Sequence, residues 1–566
     1  MPELDARTVA DLLDELGDRL ELSGESPFKI RAYRKGAELL RALHIPLATL
    51  VAERRLQDLP GIGEALAEKI TSLQQTGSHP TLEHLRRELP AGLLDLMRLP
   101  GLGPKKVMLL HREAGVRDMA ELETAILAGR LAAVKGFGSQ TQVKLLEALG
   151  FLRASMHRML LPRADFAIEG ALSALRARPE VSAASAAGEA RRRCETVAGP
   201  CVVVAAREPA RLPTHAGPGD LVRVVAVRPE SYAMALLQET GAASHVTELA
   251  ELAEQRELTW NRDGLFCGLE SCAASEEEIY RELQLPFIPP ELREGRGEIQ
   301  AAKQGRQPRL LEPEEIRGLL HVHSTYSDGA HSIEAMAEAV RALGMTYLGV
   351  ADHSRSAGYA GGLKEDRVLR QHEEIDQLNA RYAREHPGRA FHIFKGIESD
   401  IREDGALDYP EEFLARFDFI VASVHSLFEL DLEHQTERML QAVAHPATTF
   451  LGHPTGRRLL KRPSYRIDLE RVILACAQHG VALEINAHPV RLDLDWRWHR
   501  QAQEAGALFS INPDSHNAAE LSDYRFGVSI ARKGGVRAQA VLNCKELPAI
   551  SDYFEGRKKK WAGNRA

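Results

Sequence analysis

The stretch HVHSTYSDG, His321 to Gly329, begins a pattern that recurs along the last third of the chain. Side chains of a strand alternate between its two faces, so both histidines of an H-x-H pair point to the same side. Further apolar runs also end in polar residues: TYLGVADHS, AFHIFKGIESD, FDFIVASVHS, TTFLGHP, VALEINAHP and ALFSINPDSH. Helical segments separate these runs. The alternation predicts a β/α barrel over 316–566, with a site at the carboxyl ends of its strands.

The polar residues at these strand ends have the chemistry of metal ligands. The candidates are His321, His323, Asp328, His353, Glu398, His425, His453, Asp514 and His516. A single histidine is more often a core or surface residue, but nine candidates at the strand ends of one barrel favour a metal site. Imidazole combined with carboxylate suits zinc, manganese or iron better than magnesium or calcium.

The motifs resemble those of the PHP (polymerase and histidinol phosphatase) family over 316–545. The resemblance implies that the nine residues hold three divalent ions, manganese or zinc with iron as a third candidate, and that Glu398 bridges two of them. Water bound to such ions has a pKa lowered toward about 7, so it can lose a proton and attack phosphorus in line. Asp352 is predicted to orient a ligating imidazole, and Arg491 to stabilise charge on the phosphoryl oxygens. Leu319 departs from the family, which often has an aspartate there.

Residues 1 to about 155 have the pattern of helices joined by three glycine hairpins. The hairpins lie in LPGIGEALAEKI, LPGLGPKKVMLL and VKGFGSQTQVKLL, and their glycines are Gly61, Gly63, Gly101, Gly103, Gly136 and Gly138. The helix after each turn presents free N–H groups and the positive end of its dipole, which suits a phosphate. A lone G-x-G is more often a simple helix cap, but three copies favour contact with a DNA backbone. Lys69, Lys105 and Lys106 follow the turns and add positive charge.

The hairpins resemble helix-hairpin-helix motifs, and most of 1–295 resembles X-family DNA polymerases. The resemblance rests on SPFKIRAYRKGAELL, AGEARRRCETVAG, RPESYAMALLQETGAASH and EEEIYRELQLPFIPPELREGRGEI. In that family a G-S-x-R-R loop leads to a G-D-x-D strand, and a third aspartate completes a two-metal site. Here Gly199, Cys201 and Arg223 stand at the three acidic positions, and Glu189 replaces the loop serine. We therefore predict a palm without polymerase chemistry.

Two alternatives concern single residues. Asp220 or Glu195 could replace a lost palm ligand, but this needs a register shift that breaks the match to RPES. Lys69 aligns with a lysine that forms a Schiff base with an abasic sugar in some X-family members. Glu64 and Glu68 flank it and favour the protonated amine, so a lysine that touches phosphate is the preferred interpretation.

Composition limits the class of protein. A chain of 566 residues, 44% hydrophobic and 27% charged, suffices for several domains. The net charge of -8 excludes a uniformly cationic coat for nucleic acid but allows local basic patches. The six cysteines form no C-x-x-C pair, and no apolar run is long enough to span a bilayer. The first residues alternate acids with apolar residues at helical spacing, so we do not expect them to be a signal peptide. We expect a cytoplasmic protein with DNA as its partner and no membrane contact.

The sequence predicts five segments. They are a helical DNA-gap-binding domain at 1–90, a fingers-like hairpin domain at 91–155, a degenerate palm and thumb at 156–295, a polar linker at 296–315, and a PHP phosphoesterase domain at 316–566. The predicted function is a DNA-binding, metal-dependent phosphoesterase, with 3′–5′ exonuclease as first choice and abasic-site endonuclease or 3′-phosphatase as further options. The alternatives are a small-molecule phosphatase of the histidinol-phosphate kind, a structural DNA-end binder, and a gap-filling polymerase that is still active.

Overall fold

Two units of structure follow one another along the chain, one ending at Met156 and the other beginning at His157. They belong to a computed structural model that describes residues 4–563 except 42, 44, 60, 386, 387 and 389. Within these described residues, no helix is both long enough and apolar enough to cross a membrane.

The first unit is built from α-helices. These are α1 (Ala6–Leu22), α2 (Pro27–Arg41), α3 (Leu47–Ala52), α4 (Glu64–Thr76), α5 (Pro80–Glu88), α6 (Gly92–Leu96), α7 (Pro104–Ala114), α8 (Met119–Leu127) and α9 (Ser139–Ser155). Each long helix buries one apolar stripe, so residues such as Leu13, Ile70 and Leu110 are fully inaccessible to solvent. The predicted all-helical amino-terminal part is confirmed.

The second unit begins with a palm-like and a thumb-like region of mixed helices and strands. Its elements are β1 (Met159–Leu160), α10 (Leu161–Arg176), β2 (Val181–Ala187), α11 (Gly188–Arg191), β3 (Thr196–Val197), β4 (Cys201–Ala206), β5 (His215–Ala216), β6 (Val222–Val227), α12 (Tyr232–Thr240), α13 (Ala243–Glu254), β7 (Thr259–Trp260), β8 (Leu265–Cys267), β9 (Glu270–Ser271), α14 (Glu276–Glu282) and α15 (Glu298–Lys303). Four strands form one sheet in the order β2-β4-β6-β5, in which β4 and β6 are parallel. The connection between β4 and β6, all of it described, contains the two-residue β5 and no α-helix.

The predicted linker at 296–315 is more structured than its polar composition suggests. Within it, α15 buries Ile299 and Ala302 in the core of the thumb-like region. These two residues lie three positions apart and therefore share one face of the helix. Leu311 packs into the core of the barrel that follows. The stretch thus joins two cores instead of passing through solvent.

The rest of the second unit is a parallel barrel with helices outside it. Its elements are β10 (Gly318–Val322), α16 (Ile333–Ala342), β11 (Tyr347–Val350), α17 (Glu365–Glu385), β12 (His392–Asp400), α18 (Glu411–Leu414), β13 (Phe419–Ser423), α19 (Leu432–Ala444), β14 (Phe450–Leu451), α20 (Leu469–His479), β15 (Ala482–Asn486), α21 (His499–Glu504), β16 (Phe509–Asn512), α22 (Tyr524–Lys533) and α23 (Leu547–Gly563). The strands pair in chain order from β10 to β16, and a bridge between Val322 and Ser515 closes the ring. The predicted β/α barrel is confirmed, with seven strands in the sheet. In such a barrel the strand ends converge on one face, where a site can form.

Candidate functional site

The barrel brings together all nine residues that the sequence singled out as metal ligands. They lie at or just beyond the carboxyl ends of β10, β11, β12, β13, β14 and β16. Three groups of ligand atoms, each within 4.8 Å, can be drawn among them: His323, Asp328, His353 and His516; His321, His323 and Asp514; and His353, Glu398 and His425. The ninth residue, His453, has its Nε2 3.0 Å from Oε1 of Glu398. The groups share members, which suits a centre of more than one ion.

Glu398 lies in the middle of this centre and is almost fully buried. Its Oε1 atom is 3.3 Å from Nε2 of His321 and 3.2 Å from Nε2 of His425. Its Oε2 atom is 2.9 Å from Nδ1 of His353. A carboxylate with imidazoles on both oxygens can bridge two ions.

The donor atoms suit metal ions better than they suit one another. Among the described residues, Nε2 of His321, Nδ1 of His323, Nδ1 of His353, Nδ1 of His453 and Oε2 of Glu398 are buried and make no hydrogen bond. The atoms of the His353 and Glu398 pair are close, yet their orientation does not satisfy a hydrogen bond. Buried polar atoms are costly unless they have partners, and imidazole with carboxylate is a donor set for zinc, manganese or iron. The residues therefore fit the metal centre that the resemblance implies.

The acids and histidines of the centre shift one another's pKa. Burial opposes ionisation of Glu398, but His425 and His321 outweigh it and hold the pKa of the carboxyl well below its usual value. Burial likewise disfavours the charged form of His425, yet Glu398 and Asp400 raise the pKa of this imidazole to about 10. The pKa of His516 is raised to about 9 against burial by its hydrogen bond with Asp328. Because ligating imidazoles must be neutral, metal binding should release protons from His425 and His516.

Two carboxylates outside the nine orient ligand histidines, and the predicted site residues omitted both. Oε1 of Glu484, at the middle of β15, lies 2.6 Å from Nδ1 of His321, and its Oε2 accepts from the backbone N–H of His453 at 2.6 Å. Oδ1 of Asp400 lies 2.6 Å from Nδ1 of His425. Such partners fix the orientation of a ligating imidazole. The sequence signal was an acid inside a buried strand, ALEIN for Glu484.

Asp352 does not orient an imidazole in the way that the sequence predicted. Its Oδ1 accepts from the backbone N–H of Ser324 at 2.8 Å, and its Oδ2 accepts from Ser324 Oγ and from Gln371 Nε2, both at 2.6 Å. Ser324 follows His323 directly and begins the loop that leads to Asp328. The contacts of Asp352 with Ser324 therefore hold the start of this loop in place. We regard Asp352 as a residue that positions this loop.

The three hairpins of the first unit have the geometry that their sequence predicts. Gly61, Gly101 and Gly136 have φ of 99°, 82° and 89°, a region that L side chains rarely adopt. The second glycines, Gly63, Gly103 and Gly138, are the N-caps of α4, α7 and α9 and have ordinary negative φ. A Cβ atom on any of the second glycines would meet no described atom within 4 Å. Neither backbone strain nor packing requires glycine at these three positions, and the space around each of them is open.

The lysines beside the hairpins differ in their contacts. Lys105 is exposed, whereas Lys106 donates from Nζ to the carbonyl of Gly101 at 3.0 Å and so closes its own hairpin. Lys69 is half-buried, and its Nζ lies 3.4 Å from the carbonyl of Ala65 on the same helix. The DNA contacts of these lysines stay predictions.

Comparison with known proteins agrees with this arrangement. Residues 5–79 match the helix-hairpin-helix domain, 93–150 the SAM-like helix-hairpin-helix tandem, 235–294 the DNA polymerase beta thumb and 320–488 the PHP domain. The chain is 33% identical to the DNA polymerase/3′-5′ exonuclease PolX of Bacillus subtilis (strain 168), over 97% of this chain and 99% of that protein. It belongs to the PolX family of DNA polymerases. A "Probable phosphatase" of Acetivibrio thermocellus is 24% identical over 42% of this chain and 95% of its own length. One of Thermoanaerobacter sp. (strain X514) is 28% identical over 30% of this chain and 71% of its own length.

The palm of this PolX-family chain places its substituted residues together. Cys201 at the start of β4 lies opposite Arg223 of β6 in the sheet register. Burial raises the pKa of the Cys201 thiol to about 11, so it stays protonated at neutral pH. Arg223 pairs with Glu239 at 2.5 Å. A neutral thiol and a cation thus occupy the positions where the resemblance places metal ligands.

The arginines of the palm turn are also paired within the protein. The ion pairs are Arg191 with Glu276, Arg192 with Glu294 and Arg193 with Asp165, at 2.5, 2.8 and 2.8 Å. Glu189, which replaces the loop serine, accepts from the backbone N–H of Ala198 at 2.7 Å and pairs with Arg158. The charged side chains of this PolX turn thus bind other residues of the protein.

The two alternative palm ligands have different surroundings. Glu195 is buried against the barrel, where it accepts from Nε1 of Trp496 at 3.1 Å and from Nη1 of Arg497 at 2.8 Å. Burial opposes its ionisation, but Arg457 and Arg497 lower the pKa of the carboxyl below its usual value. Asp220 is exposed in a turn that precedes β6. Glu195 thus fastens the palm turn to the barrel loops around the metal centre.

Proposed function

We propose that this PolX-family chain is a DNA-binding, metal-dependent phosphodiesterase that removes nucleotides from a 3′ end and has lost polymerase activity. The observation that carries the proposal is the contrast between two sites in one unit. In the barrel, Glu398 and eight further residues with the chemistry of metal ligands come together. In the palm, Cys201 and Arg223 stand where metal-binding acids are needed. Hydrolysis requires the first site only.

We infer that the nine barrel residues hold up to three divalent ions. When bound, such ions lower the pKa of water toward 7 and polarise the phosphoryl oxygens. Glu484 and Asp400 keep the ligating nitrogens of His321 and His425 directed inward. Arg491, whose Nε is 3.5 Å from Oδ2 of Asp514, lies where it can donate to the oxygens of a phosphodiester.

The hairpin glycines support DNA as the substrate. Free N–H groups at three helix amino termini and open space at their second glycines fit the approach of phosphates without base readout. The B. subtilis relative is named for polymerase and 3′-5′ exonuclease activity. We therefore favour 3′–5′ exonuclease over abasic-site endonuclease and 3′-phosphatase, which the same pocket could also perform.

A labelled gapped duplex tests the proposed function. With Mn²⁺ and nucleotides present, we expect the primer strand to shorten from its 3′ end and never to lengthen. EDTA should stop the shortening, and Mn²⁺ or Zn²⁺ should restore it. A primer that stays intact with either metal would contradict the proposal.

The hairpin glycines give a test of DNA binding that is separate from hydrolysis. Replacing Gly63, Gly103 and Gly138 together by alanine should weaken binding of a gapped duplex about tenfold, because each added methyl group meets the incoming phosphate. Each lost phosphate contact should also lower the slope of log affinity against log salt by about 0.9. Fluorescence anisotropy over a salt series measures both quantities.

A single glycine provides the control for this variant. Gly150 lies in α9, and a Cβ atom there also meets no described atom within 4 Å. Gly150→Ala should leave affinity and salt slope unchanged, and it should slightly stabilise the helix. If the triple variant binds as the wild type does, the hairpins are structural.

A small-molecule phosphatase is the second candidate, because shorter relatives are named "Probable phosphatase". Turnover of p-nitrophenyl phosphate would exceed turnover of the DNA end by a large factor in that case. The hairpin geometry of the first unit counts against this candidate.

A further inference from the structure

Two arginines, Arg458 and Arg462, lie on the loop that follows His453. The loop comes after β14 and is thus at the end of the barrel that carries the metal centre. The backbone N–H of Arg458 donates to the carbonyl of Arg462 at 2.8 Å, and the reverse bond is 2.7 Å. This tight turn holds the two residues next to one another.

Arg491 links this pair to the metal centre. The backbone N–H of Leu459 donates to the carbonyl of Val490 at 2.7 Å, so the loop of the two arginines is joined to the turn that carries Arg491. Nε of Arg491 is 3.5 Å from Oδ2 of Asp514. Three guanidinium groups therefore come from two hydrogen-bonded segments at the edge of one site.

Contacts with Phe428 and Gly456 hold the guanidinium of Arg462 in position and leave some of its N–H groups without a partner among the described residues. Its Cζ lies 4.1 Å from the centroid of the Phe428 ring. Its Nε and Nη2 both donate to the carbonyl of Gly456, at 3.2 and 2.7 Å. A guanidinium has five N–H donors, so the other donors of this planar group are available for a ligand.

Neither arginine of this pair has a carboxylate in direct contact. Among the described residues, no ion pair joins Arg458 or Arg462 to an acid, and Asp493 acts on Arg462 only through its charge, as a weaker effect than burial and the nearby arginines. Burial and then the nearby Arg491 and Arg458 lower the pKa of Arg462 from its usual value. Cations held close together repel one another, and a bound anion relieves this repulsion. Guanidinium groups match the oxygens of phosphate in shape as well as in charge.

We propose that Arg458 and Arg462 form a subsite for the DNA phosphate next upstream of the scissile one. This inference rests on the proposed function, in which Arg491 serves the scissile phosphate beside the metal centre. The two arginines then bind the following phosphate of the same strand. A substrate with one phosphate leaves the subsite empty, so the subsite selects a polynucleotide end over a small phosphate ester.

Two dinucleotides that differ by one phosphate test the subsite. Hydrolysis of the one diester gives thymidine and 5′-dTMP from d(TpT) and two molecules of 5′-dTMP from d(pTpT), so the rates are counted per diester cleaved. Only d(pTpT) carries an upstream phosphate. With Mn²⁺-loaded full-length protein we expect kcat/KM to be about tenfold higher for d(pTpT), since charge-assisted bonds of this kind change equilibria by about that factor. Arg462→Gln should bring the ratio of the two values close to 1, and Arg462→Lys should keep part of it.

The ratio is measured within each variant, so a partly inactive preparation does not alter it. Arg416→Gln is the control, because Arg416 also lies near an aromatic ring, 5.9 Å from the ring centroid of Phe413, but it is exposed and precedes β13 at the other end of the barrel. It should keep the wild-type ratio. A wild-type ratio near 1, or an Arg462→Gln ratio equal to that of the wild type, would overturn the subsite while hydrolysis itself stands. Failure of the wild type to release dTMP from either compound would overturn the proposed function and the subsite with it.

Discussion

Glu398→Gln should reduce hydrolysis of a DNA 3′ end by about a thousandfold or more, which corresponds to about 4 kcal/mol of transition-state stabilisation. The amide keeps the size of the side chain but removes the negative charge at the middle of the centre. Glu398 lies within 3.3 Å of nitrogen atoms of His321, His353, His425 and His453, so its loss should disturb more than one ion. Metal content per chain, measured by mass spectrometry on the purified variant, should fall in parallel with the rate.

DNA affinity should remain within about twofold of the wild-type value in the same variant. The three hairpins belong to the unit that ends at Met156, whereas Glu398 is in the other unit. Glu433→Gln is a control of the same chemical change, since Glu433 is an exposed residue of the barrel that pairs with Arg471 at 3.0 Å. If Glu398→Gln kept its metal and its rate, the centre would not be the hydrolytic site. If binding fell as far as hydrolysis, the two functions would not be separate.

The sequence could predict that the nine barrel residues come together, because strand geometry restricts where they lie. Parallel strands of a barrel end on one face, so polar residues that follow buried runs must converge. His321 and Asp514 are 193 positions apart along the chain, yet Nε2 of one is 3.5 Å from Oδ1 of the other. The sequence motifs identified these residues, and the fold of the barrel brings their side chains close together.

The carboxylates behind the ligands were harder to predict. Glu484 lies inside β15, and the residues on either side of it in sequence are apolar. It reaches His321 and the backbone of His453 only because β15 pairs with β14 and β16 in the barrel. Asp352 stands directly before a ligand, which favoured a role at the imidazole, but its oxygens face Ser324 and Gln371 instead. Hydrogen-bond partners of this kind depend on which way each side chain points and on which strands are neighbours. The pattern of residue types along a sequence does not contain this information.

The contacts of the palm turn were also not predictable from the sequence. The sequence showed that Glu189, Gly199 and Cys201 depart from the family pattern, but it did not show which residues the arginines of the turn contact. The structure pairs Arg192 with Glu294 and places Glu195 against Trp496 of the barrel, more than 300 positions away. Tertiary contacts over such separations decide the present role of the turn.

We expect no templated extension of a primer by this protein, with Mg²⁺ or Mn²⁺ and all four nucleotides. Transfer needs two ions held by acids, and the residues at those positions are Gly199, Cys201 and Arg223. The assay is best performed in the Glu398→Gln background, where the 3′ end is not removed while extension is measured. A gap-filling polymerase on the same substrate shows that extension would be seen. Incorporation of even one templated nucleotide at a rate proportional to protein concentration would contradict the prediction.

Cys201→Asp in that background should fail to restore extension, although it supplies one of the missing acids. One carboxylate is not enough for two ions, and Arg223, which lies opposite Cys201 in the sheet, would pair with the new charge. Position 201 is almost fully buried, so the substitution should also lower the midpoint of thermal unfolding. Cys201→Ser is the control for size and polarity and should unfold closer to the wild-type temperature. Recovery of extension by Cys201→Asp alone would show that the arginines of the turn and a single acid suffice, and that the palm has kept a nucleotide site that its ion pairs conceal.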